Sequence, residues 1–459
     1  MANINSHMFR EYDIRGVYNS ELFDRDAELI GKAFGTLLLK RGESSVLVAR
    51  DCRVSSPPLS KALISGLQST GCKVIDIGIA SWGLINYALR QKSNRGNAVF
   101  VSASHNPAKY NGFKLVAKGH SLAGKEIRSL LELITANSFA TGTGSLSVVE
   151  YAGEYIEFLK SKIQLKRKVK FVVDYGNGMG ALVGSKLFKQ LGCEVTELYP
   201  ELDGSFPNHL ADPSVVENLQ DLIAAVKKNK AEFGIAFDGD GDRIGAVDEK
   251  GSIMWGDQLT AIFAKDILKT KPRTKIAFEV RCSRALPEVI KANNGIAIEC
   301  QCGHSLIEET LRREKALLAG EMSGHVFFAD DFYGIDDAVY VALRLIEIIS
   351  NLQADCPVSS LLSDYPRYFA SKEYRPFCPD GEKRATFAAI AKEFEAEGST
   401  VSKIDGAKAI FPDGWGLIRV SNTQPALSLR FEGTTLAAMQ RIQKLFADKL
   451  TKHGIELTK

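Results

Sequence analysis

Three stretches of the chain repeat one order of elements, and this repetition limits the fold more than any other feature of the sequence. Each has a Val- and Ile-rich run, a loop with glycine or polar residues, an amphipathic helical stretch and a second apolar run, at residues 45–78, 169–199 and 274–301. Such alternation is typical of βαβ units on a mainly parallel sheet. We therefore predict an α/β protein with three similar α/β domains built on mixed sheets.

The pattern of the chain changes after the tripeptide Asp-Tyr-Pro at residues 364–366. Residues 414–421 and 425–433 have the pattern of strands, and residues 384–398 and 435–450 have that of helices. This mixture predicts a fourth, smaller α+β domain. Ligand sites tend to lie at domain junctions, so we expect a central cleft there. We place the four domains at residues 1–149, 150–252, 253–364 and 365–459.

The composition excludes several classes of partner. The chain of 459 residues is 45% hydrophobic and 25% charged and has a net charge of +3, so neither nucleic acid nor an anionic membrane surface is an expected partner. Residues 1–16 have no apolar run of signal-peptide length, and no window of the chain approaches the roughly 18 residues of a membrane span. We predict a reduced, cytoplasmic protein. A monomer is expected, because the sequence has no coiled-coil pattern.

Two cysteines and a histidine lie close together in the third repeat. Cys300, Cys302 and His304 could suggest a metal site. No second Cys/His pair follows at the spacing of a zinc site, and such clusters are more often buried thiols. We therefore interpret the cysteines as buried thiols.

A serine and a histidine are neighbours in the loop FVSASHNPAKYNGFK, residues 100–114. Ser104 and His105 could form a nucleophile and its base. However, adjacent side chains on extended or turn backbone are expected to point apart, and such pairs normally come from segments distant in sequence. Another part of the chain must therefore define what Ser104 does.

Three carboxylates alternate with glycines in the segment FGIAFDGDGDRIGAV, residues 233–247. Asp238, Asp240 and Asp242 repel one another unless a cation lies between them, and the glycines let the backbone bring them around a hard divalent cation. An EF-hand loop would need glycine where this chain has Arg243, and strands rather than helices flank the segment. An aspartate-nucleophile phosphatase is an alternative, but it would leave the Ser104 loop without a role.

Two further loops carry groups that suit a sugar phosphate. In LLAGEMSGHVFF, Glu321, Ser323 and His325 fall on alternate residues and offer an acceptor, a hydroxyl and an imidazole to one ligand. In IRVSNTQPALSLRFEG, one cationic and three polar side chains in a tight turn predict a phosphate cradle made by Arg419, Ser421, Asn422 and Thr423. A polar or capped turn is the alternative interpretation of either loop alone.

Together these loops favour phosphoryl transfer. Mg²⁺ beside a serine, with a separate anion cradle, suits a reaction whose catalysis is mainly positioning and charge neutralisation. Ser104 then makes better sense as a phosphoryl carrier than as an acyl-transfer nucleophile. Its loop, with Lys114 following, could hold a phosphoserine whose oxygen completes the coordination of the metal.

The chain resembles the α-D-phosphohexomutases, most closely their bacterial phosphomannomutase/phosphoglucomutase branch. The matching motifs run from FREYDIRG, residues 9–16, to SNTQPALSLRFEG, residues 421–433, and include GSFPNHLADPSVVENL from Gly204. Four separate motifs in the order of the family carry the resemblance. It implies a heart-shaped molecule of four domains with the active site in the central cleft.

The resemblance also implies a role for individual residues. Ser104 would be the phosphoserine, and it would share Mg²⁺ with Asp238, Asp240 and Asp242. Arg243 would support the phosphoryl group. The other implied catalytic residues are His105 and the acid–base candidates Lys114 and His325.

The remaining implied residues bind the substrate. Glu321 and Ser323 would bind the 3- and 4-hydroxyls of the sugar. The phosphate that is not transferred would be held by Arg419, Ser421, Asn422 and Thr423. The rest of the cleft would be lined by Tyr12, Arg15, Arg281 and His304.

The implied reaction interconverts hexose 1-phosphate and hexose 6-phosphate, of mannose and also of glucose. Phospho-Ser104 gives its phosphoryl group to the free hydroxyl of a hexose monophosphate, and the 1,6-bisphosphate turns over in the cleft. Its other phosphate then returns to Ser104. Glucose or mannose 1,6-bisphosphate is the implied activator, and small hexose phosphates are the implied ligands.

Some residues depart from the family pattern and keep alternatives open. Ser102-Ala103 is the form of the phosphoglucosamine mutase branch, whereas GEMSGH and GWGLIRVSNT look like the mannose/glucose branch. Arg281 stands where a lysine is expected, which keeps the charge but changes the geometry. The alternatives are a phosphoglucosamine mutase, a metal-dependent sugar phosphatase and a protein that binds sugar phosphates without turnover.

Overall fold

The apolar runs of the first repeat lie in the middle of one sheet. The computed structural model describes residues 4–91, 96–379, 381–420 and 425–457. The strands of the first sheet are β1 (Ile14–Val17), β2 (Ser45–Arg50), β3 (Lys73–Ile79), β4 (Ala98–Val101), β5 (Tyr110–Ala117), β6 (His120–Ser121) and β7 (Leu146–Val148). Their order is β1-β5-β4-β2-β3-β7, and β6 pairs with β5.

Four helices accompany this sheet: α1 (Asp24–Lys40), α2 (Ser56–Ser69), α3 (Trp82–Leu89) and α4 (Lys125–Thr135). α2 carries prolines in its first turn, where a missing N–H costs no helical hydrogen bond. β2 is parallel to β3 and β4, whereas β5 is antiparallel to β4 and β1. The sheet is therefore mixed, as predicted.

The second repeat belongs to a five-stranded sheet. Its strands are β8 (Lys170–Asp174), β9 (Glu194–Leu198), β10 (Phe233–Phe237), β11 (Ile244–Asp248) and β12 (Ile253–Met254). Their order is β12-β11-β10-β8-β9. Its helices are α5 (Ala152–Ser161), α6 (Gly180–Gln190) and α7 (Gln220–Asn229). β8 is parallel to β9 and β10, and β10 and β11 form an antiparallel hairpin. This hairpin presents the aspartate-rich segment in its connecting loop.

The third repeat supplies three parallel strands, β13 (Lys275–Glu279), β14 (Ile296–Cys300) and β15 (Leu318–Gly320), with β13 between the other two. An antiparallel pair follows, β16 (Val326–Phe328) and β17 (Ile335–Asp336). The helices are α8 (Gly256–Thr270), α9 (Ala285–Ala292), α10 (His304–Glu314) and α11 (Ala338–Ser350). The second strand of each predicted repeat thus pairs in parallel with the first, which confirms the three βαβ units.

The C-terminal part is an antiparallel sheet with two helices, as predicted. The strands are β18 (Phe369–Ala370), β19 (Thr400–Ser402), β20 (Ala407–Phe411), β21 (Gly414–Val420) and β22 (Leu427–Gly433), in the order β18-β22-β21-β20-β19. The helices are α12 (Lys383–Ala396) and α13 (Leu436–Lys452). Short 3-10 helices lie at Ser6–Met8, Val216–Leu219 and Val358–Leu362.

By its internal contacts the chain divides into two compact units. The first comprises Met1–Gly256 and Ser323–Leu361, and the second comprises Asp257–Met322 and Leu362–Lys459. In the first unit, β1, β2, α1 and α2 enclose one large apolar core. In the second unit, Phe394, Phe431 and Phe446 pack at the centre of another. The predicted boundaries of the four domains stay a prediction.

No helix within the described residues has both the length and the apolar character that crossing a bilayer requires. All eight cysteines are free thiols. Within the described part of the chain, Cys300, Cys302 and His304 do not form a common group of metal ligands. The interpretation of these cysteines as buried thiols is confirmed, since Cys300 and Cys302 are both buried.

Candidate active site

Ser104 lies in the loop that joins β4 to β5, at the carboxyl end of β4. Its side chain is only 3% exposed, and its backbone is left-handed, with φ at 49°. The Ser104 N–H donates to Ser102 Oγ at 3.0 Å, and Ser102 Oγ donates in turn to Asp240 at 3.1 Å. The loop therefore turns sharply at the serine and directs it towards the aspartates of the second sheet.

The Ser104 hydroxyl contacts both a carboxylate and the neighbouring imidazole. It donates to Asp238 Oδ2 at 2.7 Å, and its oxygen lies 3.2 Å from His105 Nδ1. The expectation that Ser104 and His105 point apart was wrong, because it assumed extended or ordinary turn backbone. The left-handed conformation of Ser104 brings the two side chains together.

The aspartate-rich segment is the loop between β10 and β11. Asp238 Oδ1 accepts the backbone N–H groups of Gly241, Asp242 and Arg243 at 3.0, 3.0 and 3.1 Å, which closes the loop. Carboxylate oxygens of Asp238, Asp240 and Asp242 lie within 4.8 Å of one another. The predicted convergence of the carboxylates is therefore present.

Glycine is needed where the two loops meet. A Cβ on Gly239 would lie 2.4 Å from the carbonyl oxygen of Ser104. A distance this short is a steric clash with backbone, which cannot move aside without moving the loop. The absence of a side chain at this position lets the serine loop and the aspartate loop touch.

Lys114, on β5, supplies positive charge to the aspartates. Its Nζ lies 2.8 Å from Asp240 Oδ2 and 2.5 Å from Asp242 Oδ2. Burial would raise the pKa of Asp242, but Lys114, His325 and Arg243 outweigh it and hold that pKa well below its ordinary range. Burial and the charges of Asp242 and Asp240 raise the pKa of Asp238. The site is thus short of positive charge around Asp238.

The donor set fits a hard divalent cation. All candidate ligand atoms are carboxylate oxygens, the type that Mg²⁺ and Ca²⁺ prefer. In addition, Asp240 Oδ1 and Asp242 Oδ1 are buried and have no hydrogen-bond partner among the described residues. A buried carboxylate oxygen without a partner is costly, and a bound cation would relieve that cost. The chain therefore has an acidic metal-binding site.

A second chain of contacts leads from Arg243 through His325 to Asp336. Arg243 Nε donates to His325 Nε2 at 2.9 Å, and His325 Nδ1 lies 2.7 Å from Asp336 Oδ2. Asp336 Oδ1 accepts the indole N–H of Trp82 at 2.7 Å. Because a guanidinium only donates, this arrangement places the proton of a neutral His325 on Nδ1, facing Asp336.

The N-terminal motif lies beside the serine loop. Arg15, on β1, donates to Asn106 Oδ1 at 2.7 Å and pairs with Asp13 at 2.5 Å. Tyr12 is half-buried in the bend that precedes β1. Burial and the cations Arg243 and Arg15 lower the pKa of His105 well below its ordinary value. These effects favour the neutral form of the His105 imidazole.

In the second unit, Arg281 follows β13 and contacts three glutamates. It lies 3.1 Å from Glu279, 2.8 Å from Glu321 and 3.6 Å from Glu373. Burial would raise the pKa of Glu373, but Arg281, Arg375 and a hydrogen bond from Ser428 lower it to about 2. The planar, forked guanidinium can serve several carboxylates at once, which a lysine cannot do in the same way.

The other predicted binding residues are divided between the two compact units. Arg419, on β21, is buried and donates to Asp405 Oδ2 at 2.9 Å. His304 is the first residue of α10 and is half-buried. Ser323 belongs to the first unit, and its Oγ is buried without a hydrogen-bond partner in the described ranges. Ser421, Asn422 and Thr423 lie outside the described residues.

Sequence reasoning missed several residues that support these sites. Asp336 contacts His325 and is itself held by the indole N–H of Trp82. Glu279 contacts Arg281 and also accepts from Cys302 Sγ at 2.8 Å. Asp336 belongs to the pair Asp336-Asp337 at the end of a short strand, and this position is the only local signal it gives. The contacts themselves join segments far apart in sequence, so no spacing rule reveals them.

Three α/β domains, a C-terminal α+β domain and a buried serine bonded to a metal site of three aspartates define a phosphohexomutase, an isomerase. Models of the phosphoglucomutase/phosphomannomutase family match nearly the whole chain: the α/β/α domains I, II and III at residues 6–141, 153–251 and 255–368, and the C-terminal domain at residues 377–449. The chain belongs to this family.

Individual relatives agree with this assignment. The chain is 42% identical to the phosphomannomutase/phosphoglucomutase of Pseudomonas syringae, over 98% of this chain and 96% of that protein. It is 41% identical to a phosphoglucomutase of Neisseria gonorrhoeae, over 97% of each. A crystal structure of a phosphoglucomutase/phosphomannomutase family protein from Burkholderia thailandensis matches with a TM-score of 0.91 and 40% identity, over 98% of both chains. The resemblance seen in the sequence is therefore confirmed, as is the four-domain fold class.

Proposed function

We propose that this protein interconverts hexose 1-phosphates and hexose 6-phosphates of mannose and of glucose, through a phosphoserine at Ser104 and a 1,6-bisphosphate. The observation that carries the proposal is the 2.7 Å hydrogen bond from the Ser104 hydroxyl to Asp238, inside the cluster of three aspartates. Relatives named phosphomannomutase/phosphoglucomutase or phosphoglucomutase support this substrate class.

In the first unit, each group around Ser104 has a proposed task. When bound, Mg²⁺ would be held by the three aspartates and an oxygen on Ser104, and it would neutralise charge on the transferring phosphoryl group. Arg243 binds phosphoryl oxygens. Lys114 and His325 are the proposed acid and base at the sugar hydroxyl, and His325 suits this task because Asp336 and Arg243 fix its ring. His105 donates to Ser104 Oγ and orients it.

The remaining residues are proposed to bind the sugar phosphate. Glu321 accepts hydrogen bonds from the sugar 3- and 4-hydroxyls, and the Ser323 hydroxyl forms hydrogen bonds with the same groups. The phosphate that is not transferred is bound by Arg419 with Ser421, Asn422 and Thr423. Tyr12, Arg15, Arg281 and His304 complete the binding set.

The two half-reactions balance without any other reactant. In the first, the bond between phosphorus and Ser104 Oγ breaks, the sugar oxygen bonds to phosphorus, and the proton of the sugar hydroxyl passes to the acid–base group. In the second, the Ser104 Oγ freed in the first half-reaction bonds to the phosphorus of the other phosphoryl group, the bond between that phosphorus and its sugar oxygen breaks, and the proton passes from the acid–base group to this freed sugar oxygen. Glucose or mannose 1,6-bisphosphate is the proposed activator, because it loads an empty Ser104.

The test is the intact mass of the protein, with peptide mapping of residues 102–114, before and after incubation with glucose 1,6-bisphosphate and Mg²⁺. We expect one phosphoryl group on Ser104, which is discharged when glucose 1-phosphate or mannose 1-phosphate is added. The matched controls are Ser104→Ala, which should accept none, and Ser102→Ala, which should still accept one. Unmodified Ser104 together with release of inorganic phosphate would instead support a sugar phosphatase.

Substrate choice is tested with the same discharge assay. Phosphoserine enzyme is offered mannose 1-phosphate, glucose 1-phosphate and glucosamine 1-phosphate in parallel. We expect rapid discharge by the first two. Faster discharge by glucosamine 1-phosphate would favour the phosphoglucosamine branch, with which the chain shares Ser102-Ala103.

A further inference from the structure

A single buried guanidinium lies beneath the Ser104 loop. Arg53 follows β2 in the segment Asp-Cys-Arg, and its side chain is 0% exposed. A buried arginine is costly unless its charge is paired and each of its N–H groups has an acceptor. The partners of Arg53 therefore show what this residue supports.

Four of those partners are backbone carbonyls of the serine loop. Arg53 Nη2 donates to the carbonyl oxygens of Ser104 and Asn106 at 2.7 and 2.6 Å. Nη1 donates to the carbonyl oxygens of Pro107 and Tyr110 at 2.8 and 3.0 Å. With Nε on Asp51 at 3.1 Å, every N–H of the guanidinium has an acceptor.

The other surroundings of Arg53 hold it in place. Asp51 accepts from the backbone N–H of Arg53 and from Ser56 Oγ, so the counter-ion is itself fixed. The ring of Phe206 lies with its centroid 5.0 Å from the guanidinium carbon. A Cβ on Gly204 would lie 2.2 Å from the Arg53 Cα, so this loop of the second sheet packs directly on the arginine. The GSF part of the motif that starts at Gly204 thus has a structural purpose.

We propose that Arg53 is the positioning residue of the phosphoryl carrier, and this rests on the proposed function of Ser104. Its guanidinium gathers four carbonyls that would otherwise repel one another, and it thereby holds Ser104 in a left-handed conformation that serine rarely adopts. That conformation directs Oγ to Asp238. The partners of the Arg53 guanidinium are Asp51 and carbonyls of the loop, so Arg53 acts through the backbone of the loop.

The experiment compares Arg53→Lys and Arg53→Met with a control that loses stability elsewhere in the first compact unit. Leu67→Ala in α2 is that control, since Leu67 is fully buried in the core that α1 and α2 share. For each variant we would measure kcat and KM with glucose 1-phosphate, the melting temperature, and hydrogen–deuterium exchange of the peptide 102–111.

Arg53→Lys keeps the charge but cannot reach four carbonyls with one ammonium. We expect kcat to fall by about 10- to 100-fold with KM changed by less than about threefold, because a small displacement of the nucleophile reduces the rate far more than binding. Amides of the loop should exchange faster. Leu67→Ala should lower the melting temperature but keep kcat within about twofold and the loop protected.

The proposal would be overturned if folded Arg53→Lys kept kcat within about twofold of the parent protein, or if Leu67→Ala lost as much activity at equal stability. If neither Arg53 variant folds, Phe206→Ala tests the proposal instead. It removes the ring from the guanidinium but leaves the hydrogen bonds, and it should speed exchange in the loop and lower kcat. Unchanged hydrogen–deuterium exchange of the loop in Phe206→Ala would refute the proposal.

Failure of the proposed function gives a different result. If the parent protein accepts no phosphoryl group on Ser104 and has no mutase turnover, the mutase assignment fails. Hydrogen–deuterium exchange still tests the role of Arg53, because it can be measured without catalytic activity. Faster exchange of the loop in Arg53→Lys than in Leu67→Ala would support that role.

Discussion

The imidazole of His209 faces a hydrogen-bond acceptor on each side. Its Nδ1 lies 2.9 Å from the Leu210 carbonyl oxygen, and its Nε2 lies 3.0 Å from Asp174 Oδ2. A neutral imidazole carries only one N–H, so only the imidazolium satisfies both acceptors. The hydrogen bond to Asp174 is the main reason that the pKa of His209 is raised, against the opposing effect of burial.

We predict that His209 titrates above its ordinary pKa of roughly 6.5 in the folded protein. Since the folded-state pKa is raised, the pair stabilises the fold fully below the unfolded-state pKa, and this stabilisation is lost as the pH rises through the folded-state value. The measurement is an NMR titration of the His209 ring protons. Asp174→Asn should lower the measured pKa. A pKa at or below the ordinary value in the parent protein would contradict the assignment.

At this scale the local pattern of alternating aspartates and glycines predicted that the three carboxylates converge, and they do. Ser104 was placed beside them only by combining its loop with the other loops, and its hydroxyl does contact Asp238. Arg53 and Asp336 could not be found in this way. Arg53 acts on carbonyls about fifty residues further along the chain, and His325 lies between Arg243 and Asp336. Backbone carbonyls carry no sequence signature, so the sequence does not distinguish an arginine that binds them from other arginines.

Among the elements, the long amphipathic stretches were predicted well because they carry a full period of apolar residues. α12 and α13 begin and end within two residues of the predicted stretches 384–398 and 435–450. The two-residue strands β6, β12, β17 and β18 are too short to show alternation, and their pairing depends on neighbours distant in sequence. β17 matters most of these, because it carries Asp336.

Two helices provide a matched test of how packing modifies helix propensity. A Cβ on Gly153 in α5 would meet nothing within 4 Å, whereas a Cβ on Gly184 in α6 would lie 3.1 Å from the rings of Phe188 and Tyr175. We predict that Gly153→Ala raises the free energy of unfolding by about 0.5 kcal/mol, because alanine favours the helix.

Gly184, inside α6, would gain at least as much helix propensity from alanine, but the added methyl group presses on two buried rings. We expect Gly184→Ala to give no gain or a loss. Urea unfolding of both variants, monitored by circular dichroism, measures the difference. Equal stabilisation by the two substitutions would show that the contact with the rings has no influence.

For the whole molecule, the sequence predicted the number and type of sheets, since each repeat carries its own pattern. It could not show that residues 323–361 belong to the first compact unit. That membership depends on contacts such as Trp82 with Asp336, which join chain segments more than two hundred residues apart. The repeats define domains, but only tertiary contacts define the compact units.

Binding of a cation should stabilise the whole fold. A ligand that binds only the folded state adds about 2.7 kcal/mol when its concentration is 100 times its Kd. We therefore predict that millimolar Mg²⁺ raises the melting temperature and that EDTA reverses the rise. Lys114 already neutralises part of the charge of Asp240 and Asp242, which limits the gain from cation binding.

Asp240→Asn is the control for this measurement. It removes one of the negative charges that would bind the cation, and it should abolish most of the Mg²⁺-dependent rise in melting temperature. A rise of equal size in Asp240→Asn would place the stabilising cation elsewhere on the protein.

The left-handed backbone at Ser104 decides which alcohol can serve at this position. Threonine carries the same hydroxyl group and has similar reactivity, so chemistry alone would permit it. A β-branched side chain at positive φ collides with its own backbone, however. Ser104→Thr would have to turn the loop into another conformation and draw its carbonyl oxygen away from Arg53. The positive φ at residue 104, and not nucleophilicity, thus favours serine over threonine at this position.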